Sequence, residues 1–179
     1  MVKIIEQLTT LKKPYFHLLV CNESQLEQLY NKVKKEKPQT RSFYVEGLQC
    51  KTDEGFDEEF STQLDLDITF FTNLAAFDEV INEELEWKGW NGFILFIAHF
   101  WEFLQYSKGY QSMMEVIKDA VEEWAAGRNY NPNYPTPPMP FHVVLHCEPG
   151  DEEELIKKMK DGGVEEYEVL NWEDIAQES

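Results

Sequence analysis

Three short runs constrain the fold more than anything else in the chain: YFHLLVC (15–21), GFILFIAH (92–99) and FHVVLHC (141–147). A strand with one wet face alternates apolar and polar residues, whereas a strand covered on both faces reads as a continuous apolar run. GFILFIAH has the pattern of a central parallel strand, FHVVLHC that of a second buried strand, and YFHLLVC that of a third. Two further segments complete the set: SFYVEG (42–47), closed by Gly47, and EEYEVLN (165–171), which reads as an edge strand. Even the longest apolar run, GFILFIAHFW, is far shorter than the ~20 residues a membrane-spanning helix needs.

The segments between these strands carry helical spacing. In NESQLEQLYNKVKKEK, Leu26, Leu29, Tyr30 and Val33 recur on one face, with Asn22 or Ser24 as cap and Pro38 as stop. TDEGFDEEFSTQL places Phe56, Phe60 and Leu64 four apart. TNLAAFDEVINEELEW starts at a Thr72 or Asn73 cap. Its apolar side is Leu74, Phe77, Ile81 and Leu85, and its opposite side is Ala75, Glu79, Asn82, Glu83 and Glu86, with Asp78 at the border. FWEFLQYS reads as a short helix or turn. SMMEVIKDAVEEWAAG turns Met113, Ile117, Ala120 and Trp124 inward and Glu115, Asp119 and Glu122 outward, with Glu123 at the edge, and ends at Gly127. RNYNPNYPTPPMP is a proline-rich loop, and a last helix is expected over 151–161. Alternating strands and helices make the class α/β with a mainly parallel central sheet flanked by helices. At 179 residues the length suits one domain able to bury a core without staples.

Charge is distributed unevenly. The formal net charge is −18. Residues 1–51 hold nine bases and five acids, 52–87 twelve acids and no base, 88–147 five acids and four bases, and 148–179 twelve acids and three bases. An acidic surface repels nucleic acid backbones and speeds encounter with basic proteins. The tail block is explained locally, because EPGDEEELIKKMKDGG sets Glu at a helix start and Lys at its end, complementing the helix dipole. The inner block is different: it lacks the Glu–Lys pairs that solvated helices use, so its acidic face is available to a basic partner.

Catalytic patterns are missing from the sequence. There is no G-x-x-x-x-G-K-[ST], no G-x-G-x-x-G and no G-x-S-x-G. His142 and His146 stand four apart on an expected strand, roughly 13 Å along it, too far to share a metal without other ligands. His99, at a strand end, reads as a packed or capping side chain. Cys21, Cys50 and Cys147 form no C-x-x-C pair and read as buried free thiols. Phe70, Phe71, Phe93, Phe96, Phe100 and Trp101 have core-like spacing, while Trp87 and Trp90 flank a turn and suit surface anchors. No cofactor and no metal is expected, and the chain is expected not to be an enzyme. The start, MVKIIEQLTTLKKP, lacks a signal peptide's apolar stretch, so a cytoplasmic location is expected.

Taken in order, residues 42–147 resemble the barstar family of intracellular ribonuclease inhibitors. SFYVEGLQCKTDEGFDEEFSTQLDLD resembles the family's strand–Gly–loop–helix start, and NLAAFDEVI its acidic helix, with Asn73, Leu74, Ala76 and Glu79 matching. GFILFIAHFWEFLQ resembles the second strand and the segment after it, MMEVIKDAVEEW the last helix, and FHVVLH the closing strand. The resemblance implies a three-layer barstar-like fold with extra strand–helix elements at both ends, one unit at each side of the sheet. It divides the chain into an N-terminal extension (1–40), a barstar-like core (41–149) and an acidic C-terminal extension (150–179).

The resemblance also implies a function. In that family, carboxylates on the acidic helix take the place of RNA phosphates and meet the ribonuclease's Arg, Lys and His. Glu79 matches the key acid and Asp119 an acid on the last helix, with Glu123 one turn beyond. The implied partner surface is Asp78, Glu79, Glu83, Asp119 and Glu123, the implied partner a basic nuclease or another cationic protein, and the free chain a monomer that binds neither nucleic acid nor membrane directly. The pattern is redrawn in places. The family's first helix Asp is Ala75, its Trp is Asp78, and the Tyr and Gly before the helix are replaced in Thr69–Phe70–Phe71–Thr72. A barstar-fold module for a different basic partner is therefore the alternative function.

Overall fold

The computed structural model describes residues 1–64, 74–84, 89–129, 133 and 135–177. Every expected strand forms: β1 Phe16–Val20, β2 Arg41–Glu46, β3 Phe93–Ala98, β4 Phe141–Cys147 and β5 Tyr167–Asn171. They make one parallel sheet in the order β2-β3-β4-β1-β5. The strands with continuous apolar runs, β1, β3 and β4, are buried along their whole length, whereas β5 at the edge is not. The two extension strands do not flank the sheet: β1 pairs with β4 and β5 pairs with β1, so both lengthen the same edge. The reason lies in β1, which is too apolar to stand at an edge and is covered there by β5.

Side chains on β3 show both faces in use. Phe93, Leu95 and Ile97 join one core with Phe56, Phe60, Phe77, Ile117 and Trp124, while Ile94, Phe96 and Ala98 join a second with Ile5, Leu26, Leu29 and Val33. The first core lies under α3 (Asp53–Leu64), α4 (Leu74–Glu79), α5 (Tyr110–Ala126) and α6 (Glu152–Asp161). The second lies under α1 (Val2–Gln7), α2 (Glu23–Glu36) and α7 (Trp172–Gln177). The result is a three-layer α/β architecture.

The helix starts and stops follow local chemistry. Asn22 is the α2 cap: its side chain accepts from Gln25 N–H at 3.0 Å, and the Gln25 side chain accepts from Asn22 N–H at 2.9 Å, a complete capping box. α5 ends at Gly127, whose φ of +80° suits glycine. A Cβ there would also stand 2.9 Å from Pro138. Cys21, Cys50 and Cys147 are free and buried, and burial pushes the Cys21 and Cys147 thiols up to about 12. Trp90, expected as a surface anchor, is half-buried against the first core, with the Arg41 guanidinium 5.8 Å from its ring centroid. Thr72, Asn73, Phe70, Phe71, Leu85, Glu86 and Trp87 lie outside the described residues.

Candidate functional site: an acidic helix face braced by one arginine

The acidic helix is held by aromatic packing. Phe77 is fully buried, with its ring centroid 5.2 Å from Phe56 and 5.3 Å from Phe60 on α3, both edge-on. Burial of such a ring contributes roughly 2–3 kcal/mol. Ile81 is buried as expected, and Val80 joins it. α4 packs on α5, whose Trp124 indole N–H donates to the Ile81 carbonyl at 3.4 Å. The helix expected to run unbroken through these residues changes pitch: α4 gives way to a π-helical turn at Val80–Glu84. A π-turn fits an extra residue into the turn, and this explains one correction. Asn82, expected on the wet face, is only 5% exposed.

Buried Asn82 is the first link of a polar chain that joins the two acidic helices. Its Nδ2 donates to Asp78 Oδ1 at 2.8 Å. Its carbonyl accepts from Arg128 Nη1. Arg128 Nε in turn donates to Glu123 Oε1 at 2.8 Å on α5. Arg128 is itself 7% exposed and lies over the Trp124 ring at 4.9 Å, and its backbone bridges to Thr136. A charge this buried is tolerated only when paired and hydrogen-bonded, and these contacts meet that condition.

The expected partner residues therefore divide. Asp78 and Glu79 are exposed on α4, and Asp119 is exposed on α5. Glu83 lies in the π-turn. Glu123, one helical turn after Asp119, is half-buried and bonded to Arg128. Glu122 carries an exposed ion pair with Lys13 at 2.8 Å. Sequence reasoning missed Asn82 and Arg128. The signal for Arg128 was its place just after the helix-stopping Gly127, where a basic side chain reaches helix-end carbonyls.

The histidines are fixed elsewhere. His142 Nε2–H donates to the Thr10 carbonyl at 2.8 Å, so its Nδ1 accepts from His17 Nε2–H at 2.9 Å. His146 donates to the Cys21 carbonyl at 2.9 Å through Nε2 and accepts from His99 N–H at 3.2 Å through Nδ1. His142 and His146 thus serve different partners. His99 is more than a packed side chain, because its Nδ1 lies 2.8 Å from Glu46 Oε1. Among the described residues, no helix is long and apolar enough to cross a membrane.

No curated protein matches the chain in sequence. Among solved structures, the ORC2 protein of Aeropyrum pernix, determined in ADPNP–ADP complexes, is similar with a TM-score of 0.56 at 8% identity. The match covers 95% of this chain and 44% of that one, so this chain spans less than half of its structural relative. At that identity the likeness is one of fold, and fold alone carries no function. The family model described as Barstar (barnase inhibitor) matches residues 40–135, a segment that contains α4, the π-turn, α5 and Arg128. That segment is more than half of the 179 residues, and the chain belongs to the barstar family.

Proposed function

We propose that the chain is an inhibitor, of the immunity type, that blocks a basic ribonuclease or related nuclease through Asp78, Glu79, Glu83, Asp119 and Glu123. The observation that carries this reading is the exposure of Asp78 and Glu79 on α4, within a 52–87 stretch that holds no base and lies inside the family segment. Unneutralised carboxylates on a rigid helix steer a cationic enzyme and meet its arginines in short, directional contacts. The Arg128 brace supports the reading from the other side. It fixes the π-turn and Glu123 before binding, so less order has to be gained on association.

The test is the purified chain against basic ribonucleases of the barnase type, read by RNA cleavage and by association kinetics. Inhibition is expected, with an on-rate that falls steeply as salt rises. Glu79→Ala/Asp119→Ala should speed dissociation by about 30-fold or more. Tight inhibition left unchanged by that double variant would reject the site, and no inhibition of any basic nuclease would reject the function. Ala75 and Asp78, where the family pattern has Asp and Trp, favour one second reading: the same surface serving a different basic protein. In that case a cationic partner without nuclease activity would bind, and the same two substitutions would weaken it.

A further inference from the structure

Away from the acidic helix, the carboxyl ends of β2 and β3 meet the first turn of α2. Glu23, Glu46 and His99 each bring one ligand atom there, and the three atoms lie within 4.8 Å of one another. They come from three separate segments, so no local spacing in the sequence announces them. We propose that Glu23, Glu46 and His99 form a site for a divalent first-row transition metal ion.

The geometry is close to a ligand set. Donors each about 2 Å from a common ion stand roughly 3 Å apart. His99 Nδ1 and Glu46 Oε1 already stand at 2.8 Å. Glu23 is exposed at the start of α2, so its side chain is free to swing the remaining distance. Among the described residues, neither Glu23 nor Glu46 has a lysine or arginine in an ion pair with it. The metal would take the place of the hydrogen bond between His99 Nδ1 and Glu46 Oε1, and the carboxylates would supply the charge that holds it.

The surroundings are built around His99. Its backbone is left-handed, with φ 44° and ψ 50°, a conformation that only a few per cent of non-glycine residues adopt. The His146 ring holds that conformation by accepting the His99 N–H, and is itself fixed by the Cys21 carbonyl. Gly47 lets the chain after β2 pass close: a Cβ there would collide with the carbonyl oxygens of His99 and Ala98. The Trp101 ring stands edge-on to His99 at 5.1 Å. Beside the same acids the Tyr44 hydroxyl is buried and has no hydrogen-bond partner among the described residues. The site also sits at the carboxyl ends of parallel strands, where open α/β sheets place their ligands. One imidazole with two carboxylates suits zinc or manganese better than magnesium, which prefers oxygen and water.

The experiment is calorimetric titration of the chelator-treated full chain with Zn²⁺, Mn²⁺ and Mg²⁺, beside thermal melts. One Zn²⁺ per chain is expected, with a raised melting temperature, weaker Mn²⁺ binding and no Mg²⁺ binding. Glu23→Gln, at an exposed position, and His99→Asn, which keeps a residue tolerant of the left-handed backbone, should each weaken Zn²⁺ by about 10- to 100-fold. Far-UV circular dichroism without metal checks that both variants fold. Glu122→Gln, remote from the site, should bind as the parent does. No Zn²⁺ binding by the parent, or binding unaffected by Glu23→Gln, would overturn the proposal.

Discussion

Arg128 does work at the residue scale that its sequence neighbourhood conceals. It follows the helix stop and opens a proline-rich loop, yet it is nearly buried and joins the π-turn carbonyl of Asn82 to Glu123. Arg128→Ala would leave a buried carbonyl and a half-buried carboxylate without their donor. Bonds to charged groups are worth about 1.5–3 kcal/mol each, so a loss of roughly 2–4 kcal/mol is expected in urea denaturation. Arg128→Lys should recover little, because a lysine presents one ammonium where the guanidinium fork meets two acceptors. A variant within 0.5 kcal/mol of the parent would show that the network carries no weight. The exposed acids Glu79 and Asp119 were legible as residues, since periodicity alone turned them outward, whereas it set Asp78 at the border of the apolar face. Asn82 was not, because its inward turn depends on the local pitch.

Among the elements, the strands were the most legible. A doubly covered strand needs a continuous apolar run, and few other structures tolerate one, so β1, β3 and β4 announced themselves. The α2 cap was legible to two candidates, Asn22 and Ser24 before an apolar stripe, and the box that Asn22 forms with Gln25 decides for Asn22. Asn22→Ala should remove the acceptor of the Gln25 N–H, leaving only the bond from the backbone N–H of residue 22 to the Gln25 side chain, and cost about 1 kcal/mol, with a lowered midpoint and an unchanged denaturant slope. Ser24→Ala, at the other cap candidate, should be close to neutral; a larger effect there than at Asn22 would move the helix start. What local pattern could not give was the π-turn at Val80–Glu84. It is set by contacts from elsewhere, namely the Trp124 indole on Ile81 and Arg128 on Asn82. The Glu23–Glu46–His99 group was hidden for the same reason, since three segments meet only once the sheet has formed.

Across the whole molecule, placing both extension strands on the β4 edge buries β1, and with it His17. The sequence showed that β1 was apolar but not which strand would cover it, so the cost of burying its histidine could not be foreseen. His17 faces His142 on one side and stands 3.7 Å from the partly exposed Glu168 on the other. Burial, and then the neighbouring His142, lower its pKa to about 3. Burial also lowers the pKa of His142 and of His146. An unfolded histidine takes up its proton near pH 6.5. Between about pH 6.5 and pH 3 the unfolded chain therefore binds more protons at position 17 than the folded one, and stability falls as pH falls. For His17 alone the loss from pH 7 to pH 5 is roughly 2 kcal/mol, and His142 and His146 act in the same direction. Urea denaturation across this range should show that decline. His17→Gln, which keeps an N–H to offer His142, should lower stability at pH 7 yet flatten the slope between pH 7 and pH 5. A parent whose stability is level over that interval, or a variant with an unchanged slope, would mean that the buried histidine pair does not resist protonation.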